Sequence, residues 1–397
     1  MAKRKTTRMA LTGNEAMAFA MKQINPDVVA AYPITPATQI VQLFSKYVAD
    51  GEVDTEFVPV ESEHSAMSAC VGASAAGARV MTGTASQGLA LMHEILYIAS
   101  ALRLPITMCV VNRALSAPIN IHCDHSDTMG SRDAGWIQIY TENVQEAYAS
   151  TIVGVKTAEK ANLPVMVTTD GFVLSHGMEA LDVFDDEDVR AFLGERKPLY
   201  NVLDVDNPIT VGPLDLQDYF FEHKRGQIEA IFESKKHIHD AHREFAEFFG
   251  VELPVFVEPY RLDDAEYAIV VLGSSAGTGK EVVDELRDEK GKKVGLLRLR
   301  IFRPFPFEEI QKYLGKVKYL AVMDRADSLN TMGGPVATEI ARALYHLPER
   351  PVIHSFVYGL GGRDVPPENF YEVIEKMEWI AKGNTPDRMV TYVGVRE

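Results

Sequence analysis

Residues 57–80 read FVPVESEHSAMSACVGASAAGARV. Phe57 to Val60 is a short β-like run. Glu61, Ser62 and Glu63 come next, and the positions beyond are almost all Ala, Ser or Gly until another apolar run, RVMTGTA. Acidic residues in a first helical turn are favourable with the helix dipole. The stretch therefore reads strand, helix, strand, the repeating unit of a parallel sheet. Its helix is unusual, because Ala66, Ser68, Ala69, Gly72, Ala73, Ala75 and Ala76 leave no bulk on any face. Something flat or close must approach it: another helix, another subunit or a ring-shaped cofactor.

The alternation extends both ways. Upstream, RMALTG reads as a strand, NEAMAFAMKQI as a helix capped by Asn14, DVVAAYPI as a buried strand, Ala37 through Tyr47 as a helix and TEFVPV as the next strand. Downstream come one apolar helix, SQGLALMHEILYIASAL, and the strands PITMCVVN and LPVMVTTDG. Strands this continuously apolar predict a parallel sheet covered on both faces. From about 178 to 260 the texture becomes acidic and polar, ending in one or two long amphipathic helices with Gly226 as a break. This reads as an arm packed on the first domain. At Tyr267 alternation restarts. The division expected is therefore 1–260, with the extension at 178–260, and 265–397.

Composition narrows the class. A chain of 397 residues with 46% hydrophobic and 24% charged residues suits two globular domains. Its net charge of −16 argues against a nucleic-acid footprint. The basic run Lys3 to Arg8 is short and no signal-type apolar stretch comes after it. No apolar run is long enough for a membrane helix, so a cytoplasmic protein is expected. Cys70, Cys109 and Cys123 form no C-x-x-C pair, which speaks against a zinc or iron–sulfur site built from this chain alone.

Four motifs could carry chemistry. GSSAGTGKE (Gly273 to Glu281) opens a helix after a strand, but five residues separate Gly273 from Gly279 and Glu281 stands where a phosphate loop needs Ser or Thr, so a plain turn is favoured. The histidines His237, His239 and His242 sit in a charged run and read as a solvated helix face rather than a metal site. YPITP (Tyr32 to Pro36) is a proline-stiffened loop at a strand's carboxyl end, where open α/β sheets bind ligands; from shape alone, a site and a stiff turn are equally good readings. Val110 to Trp136 is the densest candidate, carrying Arg113, Asp124, His125, Asp127, Arg132 and Asp133. An arginine there suits a carboxylate ligand, or else an Arg–Asp pair that ties the loop down.

Taken together, AAYPITP, VESEHSAMSACVGASAAGARVMTGTASQGL, NRALSAPINIHCDHSDTMGSRDAGWIQIYTEN and FVYGLGGRDV resemble the alpha subunits of the pyruvate:ferredoxin oxidoreductase (pyruvate synthase) family, over most of the chain. The resemblance implies an α/β fold: a thiamine-diphosphate-binding domain of the pyrimidine type, followed by a domain similar to the transketolase C-terminal domain. It implies thiamine diphosphate with its pyrimidine end on this chain, and magnesium and [4Fe-4S] clusters on partner subunits of beta, gamma and delta type. No GDG occurs in the sequence, in keeping with a magnesium–diphosphate site elsewhere. Ferredoxin, coenzyme A and a 2-oxo acid complete the implied partners. Aligned on the family, Glu63 is the carboxyl that hydrogen-bonds the aminopyrimidine, with Glu61 the alternative if the register shifts by two. Thr35 matches a substrate-contacting threonine, with Tyr32 and Pro33 beside it on the cofactor side. Arg113 matches an arginine that pairs with the 2-oxo acid carboxylate. Asp124 and His125 are expected to form a gating or specificity loop. Pyruvate is the expected substrate, against 2-oxoisovalerate, 2-oxoglutarate or oxalate. A scaffold subunit and a nucleotide-binding protein using Gly273 to Lys280 are the competing classes.

Overall fold

The computed structural model describes residues 4–396, so Lys3 of the basic run lies outside the described residues. In chain order the first strands are β1 (Thr6–Thr12), β2 (Val28–Ala31), β3 (Glu56–Pro59), β4 (Val80–Thr84), β5 (Ile106–Asn112), β6 (Ile137–Tyr140), β7 (Val165–Asp170) and β8 (Met178–Phe184). The rest are β9 (Val257–Tyr260), β10 (Tyr267–Val271), β11 (Val294–Leu299), β12 (Ile301–Arg303), β13 (Tyr319–Asp324), β14 (Val352–Tyr358) and β15 (Val390–Val393).

A seven-stranded sheet runs β12-β6-β7-β5-β4-β2-β3, and β2 to β7 are mutually parallel. Its middle strands are buried along their whole length, which is why they read as unbroken apolar runs. From β2 the chain steps outward to β3, then returns to the other side of β2 to make β4. The two crossover helices therefore cover opposite faces. Helix Thr38–Ala49 buries Ile40, Val41 and Phe44 in one core, and helix Glu63–Ala75 buries Ala66, Met67 and Cys70 in the other. The winding reverses between β2 and β4, and such reversals open a crevice at the carboxyl ends of the strands.

A second sheet runs β15-β14-β13-β10-β11-β9 and is parallel except for β9. The two halves exchange strands. β9 precedes the second half in sequence yet pairs with β11, whereas β12 comes from the second half and pairs antiparallel with β6. The exchange is fastened by charge: Arg298 and Arg300 at the end of β11 reach the buried Glu146 of the first half.

Some local expectations change. β1 does not enter the parallel sheet but pairs antiparallel with β8. Asn14 is not the cap of helix Gly13–Ile24; Thr12 is, in a reciprocal capping box with Glu15. The side chain of Asn14 is buried and donates to the Pro36 carbonyl at 2.8 Å. The apolar helix after β4 is two helices, Ser86–Leu91 and His93–Ala101. Gly226 breaks nothing, since Phe220–Phe249 is one helix of 30 residues. His242 is buried rather than solvated, because that helix lies on helix Val144–Ala161 and its inner face enters the core.

Candidate functional site

The crevice gathers the segments that leave β2, β3, β4, β5 and β7. After β3 the chain caps helix Glu63–Ala75 with Ser62, whose hydroxyl accepts from the Ser65 amide at 3.2 Å. This cap separates the two glutamates. Glu61 stays outside, exposed, and accepts a hydrogen bond from the Ser65 hydroxyl that holds its carboxyl below the usual range. Glu63, the first residue inside the helix, is only 6% exposed. Its carboxylate has no ion pair and no side-chain hydrogen bond among the described residues. A buried carboxylate normally carries partners, because desolvating it alone is costly.

Opposite Glu63 stands the turn after β4. The Thr84 hydroxyl there is buried without a hydrogen-bond partner. At Gly88 a side chain would collide: a Cβ would meet the Thr84 hydroxyl and stand 2.7 Å from Oε1 of Glu63. A carboxyl and a hydroxyl left unpaired beside a wall cleared by glycine suit a flat polar ring with hydrogen-bonding nitrogens.

Arg113 comes directly after β5 and is 7% exposed. Its Nε donates to the Asn120 carbonyl at 2.7 Å and Nη1 to the Thr35 carbonyl at 2.9 Å. No carboxylate lies within ion-pairing distance among the described residues, so an Arg–Asp tie does not hold this loop. Burial lowers the pKa of Arg113, partly offset by the nearby Asp127. Arg113 and Thr35 are thus brought together through the backbone, while the Thr35 side chain is exposed. Tyr32 and Pro33 stand exposed on the same loop.

Asp127 braces this floor. Its carboxylate accepts from the amides of Ser86 and Arg113, each at 3.0 Å, and from the Asn112 side chain at 2.9 Å. It thereby joins the ends of β4 and β5. Burial lifts its pKa to about 6, against the pull of Asn112 and those amides.

Asp124 and His125, expected in a gating or specificity loop, are bound to the second half of the chain. His125 Nε2 pairs with Asp170 at 2.8 Å, and its amide donates to the Arg325 carbonyl at 2.8 Å. Asp124 accepts from the Gly361 amide at 3.2 Å. Both are buried and fasten the loop to the second half. Asp170 ends β7, and its place as the last, acidic residue of a strand is the only sequence signal it gives. It also binds Arg325 at 3.0 Å and the Ser274 amide at 3.1 Å. Burial alone would raise its pKa; His125 and Arg325 overcome this and hold it well below the usual carboxylate range. Cys123, His125 and Asp170 converge like metal ligands, but Arg325 already supplies the positive charge there. The Gly273 turn serves the same latch through Ser274, and Lys280 is bound to Glu142 and Glu258, not free for a phosphate.

Residues 19–243 match the family described as "Pyruvate flavodoxin/ferredoxin oxidoreductase, thiamine diP-bdg". Residues 265–370 match "Pyruvate:ferredoxin oxidoreductase core domain II". The pyruvate synthase subunit PorA of Thermotoga maritima is 56% identical over 392 residues, 98% of each chain. The chain belongs to the pyruvate:ferredoxin oxidoreductase family. Within the family, the PorA subunit of Methanocaldococcus jannaschii is 47% identical over 98% of each chain. The ketoisovalerate oxidoreductase subunit VorA of Pyrococcus abyssi is 43% identical over 98% of each chain. A 2-oxoglutarate:ferredoxin oxidoreductase structure from Magnetococcus marinus shares the fold with a TM-score of 0.72 at 19% identity, covering 94% of this chain and 65% of that one. A split-gene transketolase, described as an inactive beta4 tetramer, also shares the fold, at a TM-score of 0.53 and 12% identity, over 92% of this chain and 98% of that one.

As a family member the chain is an oxidoreductase subunit of a multi-subunit complex. Its first half is a thiamine-diphosphate-binding domain, and the buried, unpartnered Thr84 hydroxyl beside the Glu63 carboxyl is a donor set that would suit a polar ring of that cofactor. No described helix is long and apolar enough to cross a membrane.

Proposed function

We propose that this chain supplies the pyrimidine-binding carboxyl and the substrate-carboxylate seat of a thiamine-diphosphate-dependent oxidoreductase that converts pyruvate and coenzyme A to acetyl-CoA and CO2, reversibly, with electrons passed to ferredoxin. The observation that carries it is Glu63, a buried carboxyl without a bonding partner among the described residues. Bound thiamine diphosphate supplies the carbon nucleophile and the electron sink. Glu63 would hold the cofactor's pyrimidine by a hydrogen bond from its carboxyl to the ring, and that bond would tune the ring's acid–base behaviour. The helix of small residues keeps this site close-walled and free of bulk, which limits water. Arg113 pairs with the carboxylate of the 2-oxo acid and orients its carbonyl. Thr35 contacts the substrate, and Tyr32 and Pro33 beside it lie on the cofactor side.

Magnesium, the [4Fe-4S] clusters and the coenzyme A seat belong to beta, gamma and delta-type partner subunits under this reading, and the complex works in the cytoplasm. A dicarboxylate substrate needs a second free cation, and the buried Arg325 is already paired with Asp170. Monocarboxylates are favoured, and the high identity to pyruvate synthase subunits favours pyruvate over 2-oxoisovalerate. The test is to purify the native complex, count its subunits, thiamine and iron, and compare viologen-dye reduction with pyruvate, 2-oxoisovalerate and 2-oxoglutarate. Faster turnover on either of the latter two overturns the substrate assignment.

A further inference from the structure

We infer that the second half of the chain sets the position of Arg113, with Asn120 as the positioning residue between them. This rests on the reading of Arg113 as the carboxylate seat. Arg113 has two fixed contacts through its guanidinium, the carbonyls of Thr35 and Asn120. The second of these is itself anchored from outside the first half. Asn120 accepts from Arg113 Nε with its backbone oxygen at 2.7 Å, and its side-chain Nδ2 donates to the Gly361 carbonyl at 2.9 Å. Its Oδ1 accepts from the His122 amide at 2.6 Å, which fixes the amide plane.

Gly361 belongs to the loop after β14, in the FVYGLGGRDV motif that the proposed chemistry leaves without a role. The loop is built for close approach. Gly361 and Gly362 have φ of +60° and +78°. A Cβ at Gly361 would stand 2.5 Å from Asn120 Nδ2, and one at Gly362 would strike the His122 side chain. Two further bonds hold the two loops together, the Gly362 amide to the Cys123 carbonyl at 2.6 Å and the Gly361 amide to Asp124 at 3.2 Å, and Arg325, at the end of β13, braces the second loop through Nε to the Gly359 carbonyl at 3.3 Å. The neighbouring tip carries Ile119, 79% exposed, so Asn120 is where the Arg113 loop stops being free and becomes tied. A guanidinium pairs with a carboxylate in a fixed fork, so small displacements of its Nε contact matter.

The experiment uses the reconstituted complex with its cofactors and reads viologen reduction against 2-oxo acid concentration. Asn120→Ala keeps the backbone carbonyl and removes the tie. The KM for pyruvate rises about five- to tenfold, the scale of one lost hydrogen bond, while kcat and bound thiamine stay near wild type. In an Arg113→Lys background, whose ammonium cannot use the Asn120 contact in the same way, Asn120→Ala adds little. If Asn120→Ala does not assemble, Gly361→Ala loads the same contact from the other side and must give the same KM-selective loss. A fall in kcat at unchanged KM, or an equal and independent effect in the Arg113→Lys background, overturns the inference. If Arg113→Ala itself leaves KM unchanged, the reading of Arg113 fails first and the two failures are told apart.

Discussion

Gly88 faces Glu63 so closely that a Cβ on it would stand 2.7 Å from the glutamate Oε1. The helix that begins after β4 therefore meets the small-residue helix across a gap that admits a carboxylate and little else. In Gly88→Ala the new Cβ also presses on the buried Thr84 hydroxyl, so folding and assembly of the variant are checked first by its unfolding transition. The substitution should lower turnover at least about tenfold by displacing the acid–base carboxyl, with a matching fall in bound thiamine. Full activity in Gly88→Ala contradicts the placement.

Arg113 is a buried cation held by two carbonyls, with no carboxylate paired to it among the described residues. Arg113→Ala is expected to raise the KM for pyruvate about ten- to a hundredfold, the range for a charge-assisted hydrogen bond to a ligand. An unchanged KM removes it from the carboxylate role.

Asp170 fastens the two halves through His125, Arg325 and Ser274. Asp170→Asn keeps the shape and removes the charge, leaving Arg325 buried without its counter-ion. The expected cost is about 3–5 kcal/mol in denaturant unfolding. A loss below about 1 kcal/mol, the scale of an exposed pair, shows that the latch carries little.

His242 gives a pH signature. Burial, reinforced by Arg300 whose Nη1 faces its Nε2 at 2.9 Å, lowers its pKa from 6.5 to about 3. The unfolded chain then takes up this proton first as pH falls. Stability contributed here is full above pH ~6.5 and declines toward pH ~3, by at most about 1.4 kcal/mol per unit. Glu146 works in the same direction at lower pH. Arg298 and Arg300 overcome its burial and hold its pKa down, so its share is lost only below the ordinary carboxylate range. The buried carboxyls Asp127 and Asp324, whose pKa values burial lifts to about 6 and about 7, act in the opposite direction over the same window, so the difference between variants is what reads His242. Between pH 7 and pH 4.5 the unfolding free energy of the wild type should lose more, or gain less, than that of His242→Asn. Equal slopes contradict this account.

Much of the site is legible in the sequence because its chemistry is local. A carboxylate at a strand's end, with small residues after it, marks Glu61 and Glu63; telling them apart takes the Ser62 cap, which turns one outward and one inward. Thr35 and Arg113 stand at strand ends, where ligands bind in such sheets. Asp170 is not legible, because its partners Ser274 and Arg325 lie more than a hundred residues downstream and nothing near it in sequence announces them. Pairings between distant segments are hidden for the same reason: β1 with β8, β12 with β6. Asn14 looks like a cap only until Thr12 and Glu15 are seen to make a capping box two residues earlier. His242 misleads because a charged neighbourhood does not reveal which face of a long helix turns inward.

The role of Glu63 is tested by pyruvate-dependent viologen reduction by the reconstituted complex, at saturating thiamine diphosphate, with Glu63→Gln beside Glu61→Gln. The account predicts a loss of about 10²- to 10⁴-fold for Glu63→Gln and near wild-type turnover for Glu61→Gln. Intact turnover in Glu63→Gln, as a scaffold subunit would show, or a comparable collapse in Glu61→Gln, contradicts it.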